Sequence, residues 1–257
     1  MMGGGMGLAQ GASLRVVTER TRMAMPETNI GLFPDVGAGY FLSRCPEHSG
    51  EYLGLTGQIL LGGEALAVGL ADCLADSTDL IEHWRQLTDS NQGSVQLRID
   101  NLVARLKKST ANAQAPTWLN ADTHGVFALA SLAAIVAQLT QIDSDWSAHT
   151  LAILRQRSPL MLHVTLEQIR RGRHLSLADD LRMERDLVHH CFYTEHLKRS
   201  KESSETIEGI RALVIDKDRC PKWNPHTIEA VDAHMVNGFF ISPWTASNHP
   251  LADLNGT

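Results

Sequence analysis

The chain has 257 residues, 43% of them hydrophobic, enough to bury the core of one large domain or two small ones. Its formal charge is −6 and its basic residues do not collect into one long run, so composition gives general nucleic-acid binding no support. The most apolar stretch, around residues 126–139, is too short and interrupted to span a bilayer, and the isolated Cys45, Cys73, Cys191 and Cys220 have neither zinc-site nor disulfide-framework spacing.

In chain order, residues 3–11 read as a turn entering a helix, with Gly7 and Gly11 four apart to allow close backbone packing. Residues 15–18 and 22–25 are strand candidates, and Pro26 stops the second, which places Glu27 just beyond a strand end. Helical patterning follows over residues 38–44, 50–55 and 63–69, with one more strand at 72–75. From Asp76 onward the pattern is helical nearly throughout, and the polar residues 109–116 read as a loop. This divides the chain into residues 1–108, carrying the strands and carboxylates, and a mainly helical region, residues 109–257. Within the latter, Ser158-Pro159 starts a helix that Arg170-Arg171-Gly172 stops. Ser176 opens a second helix, on which Leu177, Leu181, Val188 and Cys191 mark an apolar face. Glu184 falls within that face, so it is expected to be paired or hydrogen-bonded.

Two carboxylates carry the chemical signal. Glu27 and Asp35 lie eight residues apart, between the glycine-rich opening and an apolar stretch, where carboxylates suit acid–base or nucleophilic chemistry better than a core. Asp35 after Pro34 can alternatively be a turn former. The glycines Gly3, Gly4 and Gly5 either offer backbone N–H groups to an oxyanion or serve close helix packing alone. They are not a dinucleotide fingerprint, because Gln10 stands where the third glycine is required and no strand precedes them.

Met2-Gly3-Gly4-Gly5-Met6-Gly7-Leu8 and Ala24-Met25-Pro26-Glu27, continued by Ile30-Gly31 and Pro34-Asp35-Val36-Gly37, resemble the 3-hydroxyisobutyryl-CoA hydrolase branch of the crotonase (enoyl-CoA hydratase/isomerase) superfamily. Residues 208–218 with Pro221-Lys222-Trp223 resemble the C-terminal signature of that branch. The resemblance implies an α/β, crotonase-like fold: a spiral ββα core, here expected to lack roughly its first third, with a helical C-terminal region. It implies hydrolysis of a short 3-hydroxyacyl-CoA, with a hydratase or isomerase, or a non-catalytic truncated member, as alternatives. By the same resemblance, Gly4 donates to the oxyanion, and Glu27 attacks the thioester or activates water. Asp35 would bind the substrate 3-hydroxyl. Lys217 would meet a CoA phosphate, against the alternative of a solvated or carboxylate-paired lysine. Hydratase relatives carry a glutamate where this chain has Gly7, which opposes water addition to a double bond. No metal or separate cofactor is implied, CoA being part of the substrate. The expected partner is an acyl-CoA, with no nucleic acid and no membrane, and there is room for a homo-oligomer. The expected compartment is cytoplasmic in a bacterium or mitochondrial in a eukaryote, any targeting segment then lying upstream of Met1.

Overall fold

The computed structural model describes residues 1–111 and 113–254. The strand-bearing part begins with helix α1 (Gly4–Gln10), then β1 (Val16–Thr18) and β2 (Arg22–Met23). It continues through α2 (Ala38–Ser43), α3 (Ser49–Thr56), β3 (Leu60–Leu61), α4 (Gly62–Ala67) and β4 (Cys73–Ala75). β1 runs parallel to β4 with Val16 opposite Cys73, and β2 pairs antiparallel with β3, Arg22 opposite Leu61. The expected strand over residues 22–25 pairs with β3 for two residues only. Ala24 then turns to a bridge with Met2, and Pro26, lacking an N–H, ends the extended run. That bridge ties the opening glycine turn to the segment that delivers Glu27.

The remainder is helical: α5 (Leu80–Thr88), α6 (Val95–Ala111), α7 (Ala121–Phe127), α8 (Leu132–Gln141), α9 (Asp145–Gln156), α10 (Pro159–Gly172), α11 (Leu177–Phe192), α12 (Glu205–Ile210) and α13 (Ala233–Phe239). Ser131, Ser144, Ser158, Ser176 and Ser204 each accept a backbone N–H from the first turn of the helix they precede. Such caps contribute about 1 kcal/mol apiece. Of the loop expected over residues 109–116, Ser109 to Ala111 instead complete α6, and Asn112 lies outside the described residues. The reason is tertiary: Thr110 Oγ1 accepts the Leu74 N–H at 3.1 Å and holds the helix end against β4, which outweighs a weak local preference.

One main core joins residues on both sides of position 108. In it, Tyr52 of α3 packs on Trp118 at 4.7 Å between ring centroids and on Phe127 at 5.2 Å. A second cluster sets Phe33 against Leu160, Leu187 and Phe239. Among the described residues no helix is long and apolar enough to cross a membrane. α10 packs on α2 and α3, and α11 lies beside α2. The C-terminal helices therefore back the segment between Glu27 and Ser43.

Candidate active site

After Pro26 the chain enters a 3₁₀ turn, Glu27–Ile30, closed by Gly31 in the left-handed region at φ 69°. Distant segments fix this turn. The Ser158 N–H donates to Thr28 O at 3.1 Å, Thr28 Oγ1–H donates to Leu55 O at 3.2 Å, and Thr206 Oγ1–H donates to Gly31 O at 2.6 Å. Gly31 meets the backbone of Glu205 so closely that a Cβ has no room there. The Glu205 side chain is itself buried. It accepts Ser158 Oγ–H and, at 2.7 Å, the Asn224 N–H, and burial pushes its carboxyl up to about 7.

Glu27 is only 7% exposed, and its Oε2 is buried without a hydrogen-bond partner. Gly3, at the N-terminal edge of α1, backs the other oxygen: a Cβ there would lie 3.0 Å from Oε1. Burial first, and the negative charge of Asp35 second, push the Glu27 carboxyl up to about 7. Asp35 is half-buried and is also raised by burial. The fold thus brings Glu27, Asp35 and the α1 glycine turn together. Gly4 is the first residue of α1, so its N–H has no acceptor within the helix, and it finds none elsewhere among the described residues. The space beside its Cα is open.

The backbone after Asp35 is unusual. Val36 has φ 60° and Gly37 φ 89°, and for a β-branched residue the left-handed region costs about 1–2 kcal/mol. Three buried side chains hold it. Glu184 of α11 accepts the Gly37 N–H at 2.7 Å on Oε2 and the Gly39 N–H at 3.2 Å on Oε1. Gln168 of α10 donates to Glu184 Oε1 at 3.1 Å and to Pro34 O at 2.7 Å. Asp180 accepts the Tyr40 N–H at 3.0 Å. Glu184 is accordingly hydrogen-bonded, as its place on an apolar helix face required. Burial and the Asp180 charge raise its carboxyl well above the usual range, while the N–H groups at the start of α2 pull the other way.

Gly7 has a steric role. A Cβ at position 7 would lie 2.5 Å from Val36 O and 2.6 Å from Val36 Cβ, so the helix sits directly on Val36 and no longer side chain fits. A glutamate, as in a two-carboxylate hydratase site, has no place here. Lys217 is not part of the cluster: it is exposed, in the left-handed conformation at φ 58°, and pairs with no carboxylate among the described residues. The supporting groups Val36, Gln168 and Glu205 carry no local chemical signal, because each acts through a neighbour far away in the chain. Only the misfit of Glu184 on its helix face could have been noticed.

A buried carboxylate that titrates near 7, beside a second carboxylate and a free helix N–H, has the parts of an acid–base site for a carbonyl substrate. The family model described as enoyl-CoA hydratase/isomerase matches residues 1–240. Among curated relatives, "Probable 3-hydroxyisobutyryl-CoA hydrolase 2" of Arabidopsis thaliana is 38% identical over 93% of this chain and 63% of its own. "3-hydroxyisobutyryl-CoA hydrolase, mitochondrial" of Dictyostelium discoideum is 36% identical over 93% and 61%. Among solved structures, a carnitinyl-CoA dehydratase from Mycobacterium thermoresistibile superposes with a TM-score of 0.76 at 32% identity, covering 93% of this chain and 65% of that one. The chain spans about three fifths of the length of the curated relatives it matches. With the family model matching nearly its whole length and the glycine turn and Glu27 brought together in the fold, this chain belongs to the enoyl-CoA hydratase/isomerase family.

Proposed function

We propose that the protein hydrolyses a short 3-hydroxyacyl-CoA thioester, with 3-hydroxyisobutyryl-CoA as the substrate that the names of its relatives favour. The observation that carries this reading is Glu27, a buried carboxylate beside the α1 glycine turn with an unpartnered Oε2, where a second carboxylate at position 7 is sterically excluded. Glu27 takes a proton from water, the water oxygen bonds to the thioester carbon, and the Gly4 N–H faces the oxygen that becomes negative. The C–S bond then breaks and the proton passes to the departing sulfur, giving the hydroxy acid and free CoA. Direct attack by Glu27 to form a mixed anhydride uses the same ionised carboxylate and the same unpartnered Oε2, and is the second reading of this site. Asp35 accepts a hydrogen bond from the 3-hydroxyl, and Lys217 is the candidate for a CoA phosphate. CoA belongs to the substrate and the scheme uses no separate cofactor. In a eukaryotic host the reading places the protein in mitochondria, as in the names of several relatives, and in a bacterium in the cytoplasm. A homo-oligomer is compatible with it.

The test is thiol release, followed with a chromogenic disulfide, from 3-hydroxyisobutyryl-CoA and from isobutyryl-CoA. The hydroxylated ester should have at least about tenfold higher kcat/KM, the value of one hydrogen bond to a charged acceptor, and Asp35→Asn should erase that preference. Equal values for the two esters in the unaltered protein would remove the Asp35 role. Hydration of crotonyl-CoA with no thiol release from either ester would overturn the hydrolase reading.

A further inference from the structure

A second space lies along α1, one turn beyond the carboxylates: a cavity of about 440 Å³ bounded by Gly7, Val36, Phe41, Leu70 and Leu181. That is the size of a small-molecule pocket. The charged groups on its rim are already engaged. Arg15 pairs with Asp72 at 2.6 Å, and Arg44 donates to the carbonyls of Tyr40, Gly172 and Leu175. What remains within is largely apolar.

Helix α1 and the loop after Asp35 both reach from the carboxylates to this cavity. Gly3, at the start of α1, touches Glu27; Gly7, about 6 Å further along the helix axis, touches Val36, which follows Asp35 directly. Val36 therefore lines the cavity directly after Asp35, pressed onto Gly7 with its side chain partly buried against the main core. Its backbone, at φ 60°, is one that glycine adopts freely and a β-branched residue rarely does. A valine held there against its conformational preference draws attention to what its side chain blocks.

The geometry points to Val36 as the residue that limits acyl length: its side chain closes the reaction space to short acyl groups, and the cavity behind it receives a longer unbranched chain once that side chain is gone. This inference rests on the thioester-hydrolase reading above for its substrate class. Val36→Gly is the direct probe, because glycine suits the backbone already present. Butyryl-CoA and hexanoyl-CoA would be compared by thiol release and, independently, by calorimetric binding. Each methylene that enters an apolar cavity strengthens binding about fourfold, so the hexanoyl-to-butyryl ratio should rise at least about tenfold in Val36→Gly. Adding Leu181→Trp refills the cavity and should return the ratio to the wild-type value. An unchanged binding ratio in Val36→Gly, or a gain that Leu181→Trp does not reverse, would overturn the role of Val36. Absence of thiol release from the wild type would instead overturn the hydrolase reading, and the binding ratio would still decide the question of acyl length.

Discussion

Glu27 and Glu184 are both buried glutamates beside the same loop, and burial raises both carboxyls, yet the two are built in opposite ways. Glu184 accepts two backbone N–H groups and the Gln168 amide, and through them fixes the strained turn at Val36 and Gly37. Glu27 has an oxygen that is equally shut away from solvent but accepts nothing. Glu205, a third case, resembles Glu184: it accepts Ser158 and Asn224 and braces the turn that carries Glu27. Burial alone thus does not distinguish a scaffold carboxylate from a chemical one. Among these three glutamates the hydrogen-bond inventory does: Glu184 and Glu205 spend their oxygens on backbone and side-chain donors, and Glu27 keeps a buried oxygen empty at a cost in free energy.

The comparison breaks most visibly if Glu27 proves to be scaffold. Glu27→Gln keeps size and removes the ionisable group, so kcat should fall at least about 10³-fold, equivalent to about 4 kcal/mol of barrier, while binding of the acyl-CoA stays within about threefold. Steady-state thiol release together with calorimetric binding measures both. A kcat within tenfold of the unaltered protein would place Glu27 with Glu184 and Glu205.

Glu184→Ala should do the reverse, acting first on stability. It leaves the N–H groups of Gly37 and Gly39 and the Gln168 amide without their buried acceptor, at about 1–3 kcal/mol for each group that water cannot reach. A total loss of about 3 kcal/mol is expected, read from the urea midpoint at constant m. A loss below about 1 kcal/mol would show that the loop at residues 35–37 holds its shape without α11.

What could be read in the sequence follows the same division. Glu27 and Asp35 stood out because a carboxylate after a strand-stopping proline or in an apolar setting is locally anomalous, and Gly4 because three glycines in a row are. The helix at Ser158-Pro159 and the one opened by Ser176 were legible from their caps. The groups that make the site work were not. Val36 reads as an ordinary apolar residue until its φ is known, and the requirement for Gly7 depends on Val36 lying against it. Gln168 and Glu205 act across more than 130 residues on Pro34 and Gly31, a relation no local window contains. The strand expected at residues 22–25 exceeds β2, and the loop expected at 109–116 takes in the end of α6, whose anchor, Leu74, lies on another element.

A smaller effect sharpens the comparison from the stability side. The folded Glu27 carboxyl titrates at about 7, above its ordinary 4.5, so the folded state favours the protonated form. That advantage is complete below about pH 4.5 and is lost as pH rises through about 7. A shift of this size corresponds to at most about 3 kcal/mol. Glu27→Gln does not titrate, so it should be more stable than the unaltered protein by about 1–3 kcal/mol at pH 8, with the difference fading toward pH 4.5. Other raised carboxyls, Glu205 and Asp180, titrate in the same window in both proteins and cancel in the difference. Chemical denaturation of both at the two pH values measures it, and a constant difference across them would mean that burial does not penalise the Glu27 charge. Gain of stability on loss of activity is the signature of a group kept for chemistry.

The smallest effect concerns Lys217, which the resemblance assigns to a CoA phosphate and the geometry leaves in solvent. Asp216 and Asp218 on either side of it are both taken by Arg211, at 2.6 and 2.7 Å, and Arg211 also binds Glu208 at 2.8 Å. Lys217 is therefore spared a carboxylate partner, but it stands in a cluster where three carboxylates face one guanidinium, a setting that weakens its pull on an anion. An exposed cation of this kind contributes little, and salt screens that little further. Lys217→Gln should raise the KM for the CoA ester no more than about threefold at low ionic strength, leave kcat unchanged, and have no measurable effect at 0.5 M salt, where the Debye length is about 4 Å. A tenfold or larger rise that persisted in salt would mean that Lys217 closes onto the phosphate in the complex. The division between buried scaffold carboxylates and one chemical carboxylate would then need a third member, a surface cation that becomes buried only when substrate is bound.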